Sequence, residues 1–243
     1  MKYVLAILLG GLSLQAIAQE KKMKPEDTEV WTPVPKEVTT DTKGVPSDAI
    51  VLFDGTSLSA WKKAGSDQAA GWTVEQGAMT VKPGQGDIET REHFESFQLH
   101  IEWRSPLVIK GESQGRGNSG VFMQGLYEIQ VLDMYDNKTY VNGQAASVYK
   151  QHIPLVNAIK KPGDWHSYDI IWTAPTFKAD GAVDKKARIT VIHNGIVVQN
   201  HVEVEGPTEY IGHPKYKAHG PGPIKLQDHG DLVSFRNIWI RPL

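Results

Sequence analysis

The stretch 97-FQLHIEWR-104 sets Phe97, Leu99, Ile101 and Trp103 against Gln98, His100, Glu102 and Arg104. Successive side chains of a strand point to opposite faces, so this alternation describes a strand with one face on a core and the other in water. The same period recurs outward from it. In 127-YEIQV-131, Tyr127, Ile129 and Val131 oppose Glu128 and Gln130, and 165-WHSYDIIWTA-174 continues the pattern. The run 187-ARITVIHNGIVVQNHVEV-204 reads as two strands joined at His193-Asn194-Gly195, because Asn-Gly suits the left-handed positions of a two-residue hairpin turn. Residues 224–227 and 232–240 add two more strands. Glycine-rich turns at 84–86, 111–120 and 219–223 punctuate the series. Helical spacing is nearly absent. The expectation is an all-β domain, a jelly-roll β-sandwich of two antiparallel sheets spanning residues 48–243, with long loops at 105–118 and 206–223. No repeat stands out, which argues against a propeller or solenoid.

The N-terminal part reads differently. Lys2, the apolar stretch Val4 to Leu14 and the small-x-small box Ala16-Ile17-Ala18 predict a signal peptide over residues 1–18, cleaved after Ala18. The chain has no cysteine, hence no lipobox, no disulfide, no thiolate zinc site and no cysteine nucleophile. The expected location is the periplasm or the exterior, with no membrane span after cleavage. Residues 19–47 are polar and proline-rich and predict a flexible segment. Across the 243 residues, 26 Lys+Arg face 28 Asp+Glu, a formal net charge of −2 that offers no general attraction to nucleic acid.

The polar faces of the strands hold the candidate chemistry. Glu128 and Gln130 share one strand face. Asp133 falls on the other by strict alternation, and a one-residue bulge would bring it into line. The resulting E-x-Q-x-x-D pattern resembles the E-x-D-x-x-E strand of laminarinase-type glycoside hydrolases, with Gln130 in place of the middle acid and the shorter Asp133 in place of the distal one. A two-carboxylate glycosidase needs its pair about 5–9.5 Å apart, which the shorter side chain makes hard to satisfy. Asn118 lies in a Gly-Asn-Ser-Gly turn, open to a sugar hydroxyl or to Glu128. Gln227 and His229 share a face, and histidine is the natural acid/base near neutral pH. Glu102 is a further polar candidate, balanced against a simple ion pair with Arg104. Trp172, with Trp61 and Trp165, is a candidate to stack on a sugar ring, although strand aromatics also pack cores. Asp133, Asp136 and Asn137 offer oxygen ligands for structural Ca²⁺ but lack an EF-hand ligand count, and no cofactor is expected. No nucleophile elbow, P-loop or H-E-x-x-H motif occurs.

An ordered set of segments then resembles the 3-keto-disaccharide hydrolase family, long catalogued as a domain of unknown function: Leu52 to Trp61, Gly117 to Phe122, Tyr127 to Asp133, Pro154 to Asn157, Gly163 to Asp169, His193 to Gly195, and Gly222 to Gly230 followed by Val233 to Trp239. The resemblance implies a concanavalin A-like sandwich, an exported protein, and cleavage of glycosides already oxidised at C3 by a partner sugar 3-dehydrogenase. A C3 carbonyl acidifies the C2 proton, so one base can start an elimination without an opposed nucleophile. On that chemistry Glu128 and His229 are the catalytic candidates. Gln130, Asn118 and Gln227 orient the sugar, and Asp133 positions a partner group or a cation. The rival readings are a non-catalytic sugar-binding or partner-docking module, and a conventional two-carboxylate endo-glycanase.

Overall fold

The structure, a computed structural model, describes residues 22–243; the expected signal peptide lies outside the described residues. Residues 38–243 form one compact unit. Before it, the chain makes one turn of 3₁₀ helix at Pro25–Thr28, and Trp31 is exposed.

The strands follow in chain order: β1 (Ile50–Phe53), β2 (Trp61–Lys63), β3 (Thr73–Glu75), β4 (Ala78–Thr80), β5 (Ile88–Thr90), β6 (Phe97–Arg104), β7 (Ser119–Met123), β8 (Tyr127–Val131), β9 (His166–Thr173), β10 (Thr176–Phe177), β11 (Val183–Lys185), β12 (Arg188–His193), β13 (Ile196–Glu203), β14 (Lys225–Leu226) and β15 (Ser234–Pro242). They build the all-β, jelly-roll-type sandwich expected from the alternation. An eight-stranded sheet runs β13-β12-β9-β6-β15-β4-β3, with β1 also paired to β15, and a five-stranded sheet runs β2-β5-β14-β7-β8. Every pairing is antiparallel.

The alternation decides which side of each strand is dry. In β6, Phe97, Leu99, Ile101 and Trp103 are fully buried while the intervening polar residues are half-exposed. In β9, Tyr168, Ile170 and Trp172 do the same. The opposing layer contributes Val121 and Met123 from β7 and Tyr127, Ile129 and Val131 from β8. The layers interlock through named contacts. The Tyr127 and Trp172 rings lie 4.9 Å apart, and the Tyr168 hydroxyl crosses to donate to the Gln130 carbonyl at 2.9 Å. Trp172 Nε1 donates to Gln124 Oε1 at 3.3 Å. Truncating such a buried aromatic costs about 3–5 kcal/mol, so these residues anchor the sandwich.

Asn194 and Gly195 make the turn of the β12–β13 hairpin at φ 53° and 80°, as that dipeptide predicts. For the site, the decisive feature is the outer face of the five-stranded sheet. The register aligns Lys62, Glu89, Lys225, Phe122 and Glu128 across β2, β5, β14, β7 and β8. Two residues along, Gln130 pairs with Gly120, and Gln227 donates its backbone N–H to the Gly120 carbonyl at 3.1 Å. Strands distant in sequence therefore bring Glu128, Gln130 and Gln227 onto neighbouring rows.

Candidate active site

Strand β8 is buried on both faces, which a surface-facing Glu-x-Gln pair does not anticipate. The cover comes from segment 140–152. Gln130 and Tyr149 donate their backbone N–H groups to the carbonyls of Ser147 and Glu128, and Ala146 donates to Gln130, so this segment extends the sheet past its edge. From the other end, Thr208 donates its backbone N–H to Leu126, and its Oγ1 accepts the Glu128 N–H at 2.9 Å. The two loops thus close the edge of the strand and meet each other beside it, where Lys150 Nζ donates to the Tyr210 carbonyl and Gln151 Nε2 to that of Gly206.

Glu128 is only 5% exposed, and among the described residues no donor reaches its carboxylate. Burial pushes its carboxyl up to about 8; the nearby Lys225 ammonium pulls the other way, and Asp87 adds a smaller upward push. Lys225 is held between Asp87, 3.6 Å away, and the face of Phe122, 4.0 Å from its ring centre. The Glu128 carboxyl lies over Gly120, and the absence of a side chain there makes room for it.

Around Glu128 lies a cavity of about 670 Å³ whose walls include Asn118, Gln130, Gln227 and His229. Five of the eight residues singled out from sequence therefore line one hollow. Gln130 is oriented by its own amide, whose Nε2 donates to Gln114 Oε1 at 3.0 Å and to the Gly143 carbonyl at 3.3 Å. Its Oε1 is buried without a partner. Asn118 is tied down from both ends: its backbone N–H donates to Asp231 Oδ2 and its Nδ2 donates to the Gln114 carbonyl. His229 is exposed on the loop after β14 and completes the rim.

The remaining walls come from residues that alternation does not flag. Tyr140 and Tyr149 share a hydrogen bond of 2.6 Å between their hydroxyls, and burial raises the pKa of both. They remain neutral donors at neutral pH. Lys150, in left-handed backbone at φ 58°, reaches over Tyr210, with Nζ 4.2 Å from its ring centre and donating to its carbonyl at 2.6 Å. A charged residue held in that backbone region is a local cost of order 1–3 kcal/mol that tertiary contacts must offset. Glu128 is the sole carboxylate among the residues lining the cavity.

A family model for the 3-keto-α-glucoside-1,2-lyase-like domain matches residues 48–241. The chain belongs to that family. A crystal structure of a candidate glycosyl hydrolase from Parabacteroides distasonis is 56% identical, covers 90% of this chain and 97% of its own, and superposes with a TM-score of 0.88. A second structure from the same organism, 22% identical with a TM-score of 0.60, covers 81% of this chain and 94% of its own and shares the fold. The 3-keto-disaccharide hydrolase of Bacteroides thetaiotaomicron is 27% identical over 96% of this chain and 93% of its own length.

In this 3-keto-α-glucoside-1,2-lyase-like domain, three sequence candidates lie elsewhere. Asp133 does not join the Glu128 face. The β7–β8 register is even through Val131, where the strand ends; Asp133, just beyond it, is held by Arg116, whose Nε donates to its Oδ2 at 2.9 Å. That buried pair borders a separate hollow of about 680 Å³. The same pairing removes Asp133 from any Ca²⁺ cluster, and among the described residues no group of three or more acidic or histidine side chains is placed to hold a metal. Glu102 stands on the outer face of the other sheet, where Arg236 Nε donates to Oε2 at 2.6 Å and Asn237 to Oε1 at 3.0 Å. His100 and these donors hold its carboxyl down at about 2 despite burial. Its partner is Arg236 rather than Arg104. Trp172 is completely buried and serves the core, as does Trp61. The guanidinium groups of Arg104 and Arg236 lie over the Trp165 ring, 4.7 and 4.1 Å from its centre.

Proposed function

We propose that this domain cleaves glycosides oxidised at C3 by elimination across C1–C2 followed by hydration. The observation that carries the reading is the solitary carboxylate. A conventional glycosidase needs two acids across the scissile bond, and the cavity lining offers Glu128 alone. A 3-keto sugar needs only one base, because the carbonyl acidifies C2–H. A carboxyl whose pKa is lifted to about 8 is a stronger base, once ionised, than an ordinary glutamate. The description of the family as lyase-like and the name of the Bacteroides relative support the same chemistry.

In this scheme the Glu128 carboxylate takes the C2 proton, and the C–H electron pair passes into the C3 carbonyl as an enolate. The enolate collapses, C3=O reforms, a C1=C2 double bond appears and the glycosidic C1–O bond breaks. The bond's electron pair leaves with the departing oxygen, which His229 protonates. Once the leaving group has gone, the Glu128 carboxyl exchanges its proton with solvent; water then adds its oxygen to C1, Glu128 delivers a solvent-derived proton to C2, and His229 recovers a proton from that water. The net change is hydrolysis. Lys150 and the Tyr140–Tyr149 hydroxyl pair supply positive field and donors for the enolate oxygen. Asn118, Gln130 and Gln227 orient the ring.

The reading requires a sugar 3-dehydrogenase to supply its substrate, and it suits an exported protein. The test is incubation in D₂O with a 3-keto-glucoside and with its unoxidised parent. Elimination and hydration place deuterium at C2 of the released keto sugar, above a control lacking protein, and leave the parent untouched. Cleavage of the parent, or release without C2 deuterium, would overturn the proposal.

A further inference from the structure

The walls of the Glu128 cavity do not end with it. Tyr140, Tyr149, Lys150 and Tyr210 also border a second hollow of about 440 Å³ on their far side. The two hollows are adjoining compartments with a common partition of three aromatic rings and one ammonium group. The second is a shelf at the surface rather than a hole. Tyr210 is 71% exposed and Tyr140 39%.

The shelf is built from a loop whose length marks it in the sequence, and that loop is fixed in place. Gln151 Nε2 donates to the Gly206 carbonyl at 2.9 Å, and its Oε1 accepts the Glu205 N–H at 2.8 Å. The Thr208 contacts to Leu126 and Glu128 tie the next residues to β8. Beyond these anchors the chain presents Glu209, Tyr210 and His213 to the shelf, which Asn142 of segment 140–152 also lines. The side chains of Asn142, Glu209 and His213 make no hydrogen bond among the described residues, whereas Gln151 is committed to the loop. Exposed tyrosine faces beside unengaged polar groups are the chemistry that receives a sugar ring: CH faces on the aromatics, hydroxyls on the amide, carboxylate and imidazole.

We propose that this shelf is the subsite for the leaving-group sugar, so that a disaccharide lies across the Tyr140–Tyr149–Lys150 partition with its oxidised ring over Glu128 and its second ring on Tyr210. The inference rests on the glycoside-cleaving reading above. It assigns recognition of the released group to Asn142, Glu209, Tyr210 and His213. Binding energy gained on the shelf positions the scissile bond at the partition.

The test compares 3-keto-trehalose, which fills both compartments, with methyl 3-keto-glucoside, whose methoxy group cannot reach the shelf. The variants are Glu209→Ala and the triple substitution Asn142→Ala, Glu209→Ala, His213→Ala, with Glu209 and His213 exposed and Asn142 half-buried. The expected result is that the triple variant lowers kcat/KM for the disaccharide by about tenfold or more, the worth of one or two hydrogen bonds, while the methyl glycoside stays within about twofold. Equal losses on both substrates, or no loss on the disaccharide, would overturn the subsite and leave the chemistry standing. Failure of the unaltered protein to turn over either substrate would overturn both.

Discussion

The carboxyl of Glu128 rests directly over Gly120: a β-carbon at position 120 would lie 2.6 Å from Glu128 Oε1 and 2.7 Å from Phe122 Cε2. Glycine is required here for space rather than for backbone freedom. The expected effect of Gly120→Ala is therefore on placement. The carboxyl must swing off its position, and a displacement near 1 Å at a reacting group costs on the order of a hundredfold in kcat. Steady-state kinetics on a 3-keto-glucoside check this, with a thermal melt to show that the variant remains folded. A folded variant with unaltered kcat would detach the Glu128 position from the chemistry.

Glu128 also sets a pH dependence that needs no substrate to observe. Its folded pKa of about 8 lies above the 4.5 of an ordinary glutamate, so the folded protein holds a proton that the unfolded chain has released across that window. Stability therefore falls as pH rises from about 4.5 to about 8, by up to about 1.4 kcal/mol per unit. Glu128→Gln removes this slope. The variant should gain Tm relative to the unaltered protein between pH 5 and pH 8, and parallel curves would contradict the raised pKa. In catalysis the sign is opposite: the base must be ionised, so kcat/KM should rise with pH toward about 8, and Glu128→Gln should abolish turnover.

Asp133 offers the contrasting case of a buried acid with a structural task. Its Oδ2 accepts from Arg116 Nε, its Oδ1 accepts from the Tyr135 N–H at 2.9 Å, and the residue is 2% exposed. Asp133→Ala strands the Arg116 guanidinium, and breaking one side of such a buried pair costs about 3–5 kcal/mol. For a chain of this size that corresponds to a Tm lower by roughly 6–20 °C. The KM for a 3-keto-glycoside, measured at a temperature where the variant is folded, should not move. A raised KM with Tm unchanged would return Asp133 to the site.

Alternation explains why some of this was legible and some was not. It reads which face of a strand is dry, so the interior of β6 and the pairing of Glu128 with Gln130 are visible in 97-FQLHIEWR-104 and 127-YEIQV-131. It does not say what lies above a polar face. Glu128 and Glu102 have the same strand signature, yet one is buried beside segment 140–152 with its carboxylate left without a hydrogen-bond partner while the other is ion-paired at the surface of the opposite sheet. Trp172 is silent for a related reason: its position on the inner face follows from its neighbours Tyr168 and Ile170, and a sugar-stacking tryptophan would need the opposite parity. Tyr140, Tyr149, Lys150 and Tyr210 lie in irregular segments with no period to read. Loop length at 206–223 was the one signal, and it reached only Tyr210.

His229 reaches the same cavity from the loop after β14, and its proposed task can be separated from that of Glu128 by changing the leaving group. Protonating the departing oxygen matters when that oxygen would leave as a basic alkoxide, as in methyl 3-keto-glucoside. It matters little for a nitrophenolate, which is stable as an anion. His229→Ala should therefore lower kcat on methyl 3-keto-glucoside by about a hundredfold, within the usual range for loss of a general acid, and lower it far less on the 4-nitrophenyl 3-keto-glucoside. Glu128→Gln should abolish both reactions, because C2–H must be broken whichever group departs. Equal losses for His229→Ala on the two substrates would assign the imidazole to holding the ring rather than to proton transfer.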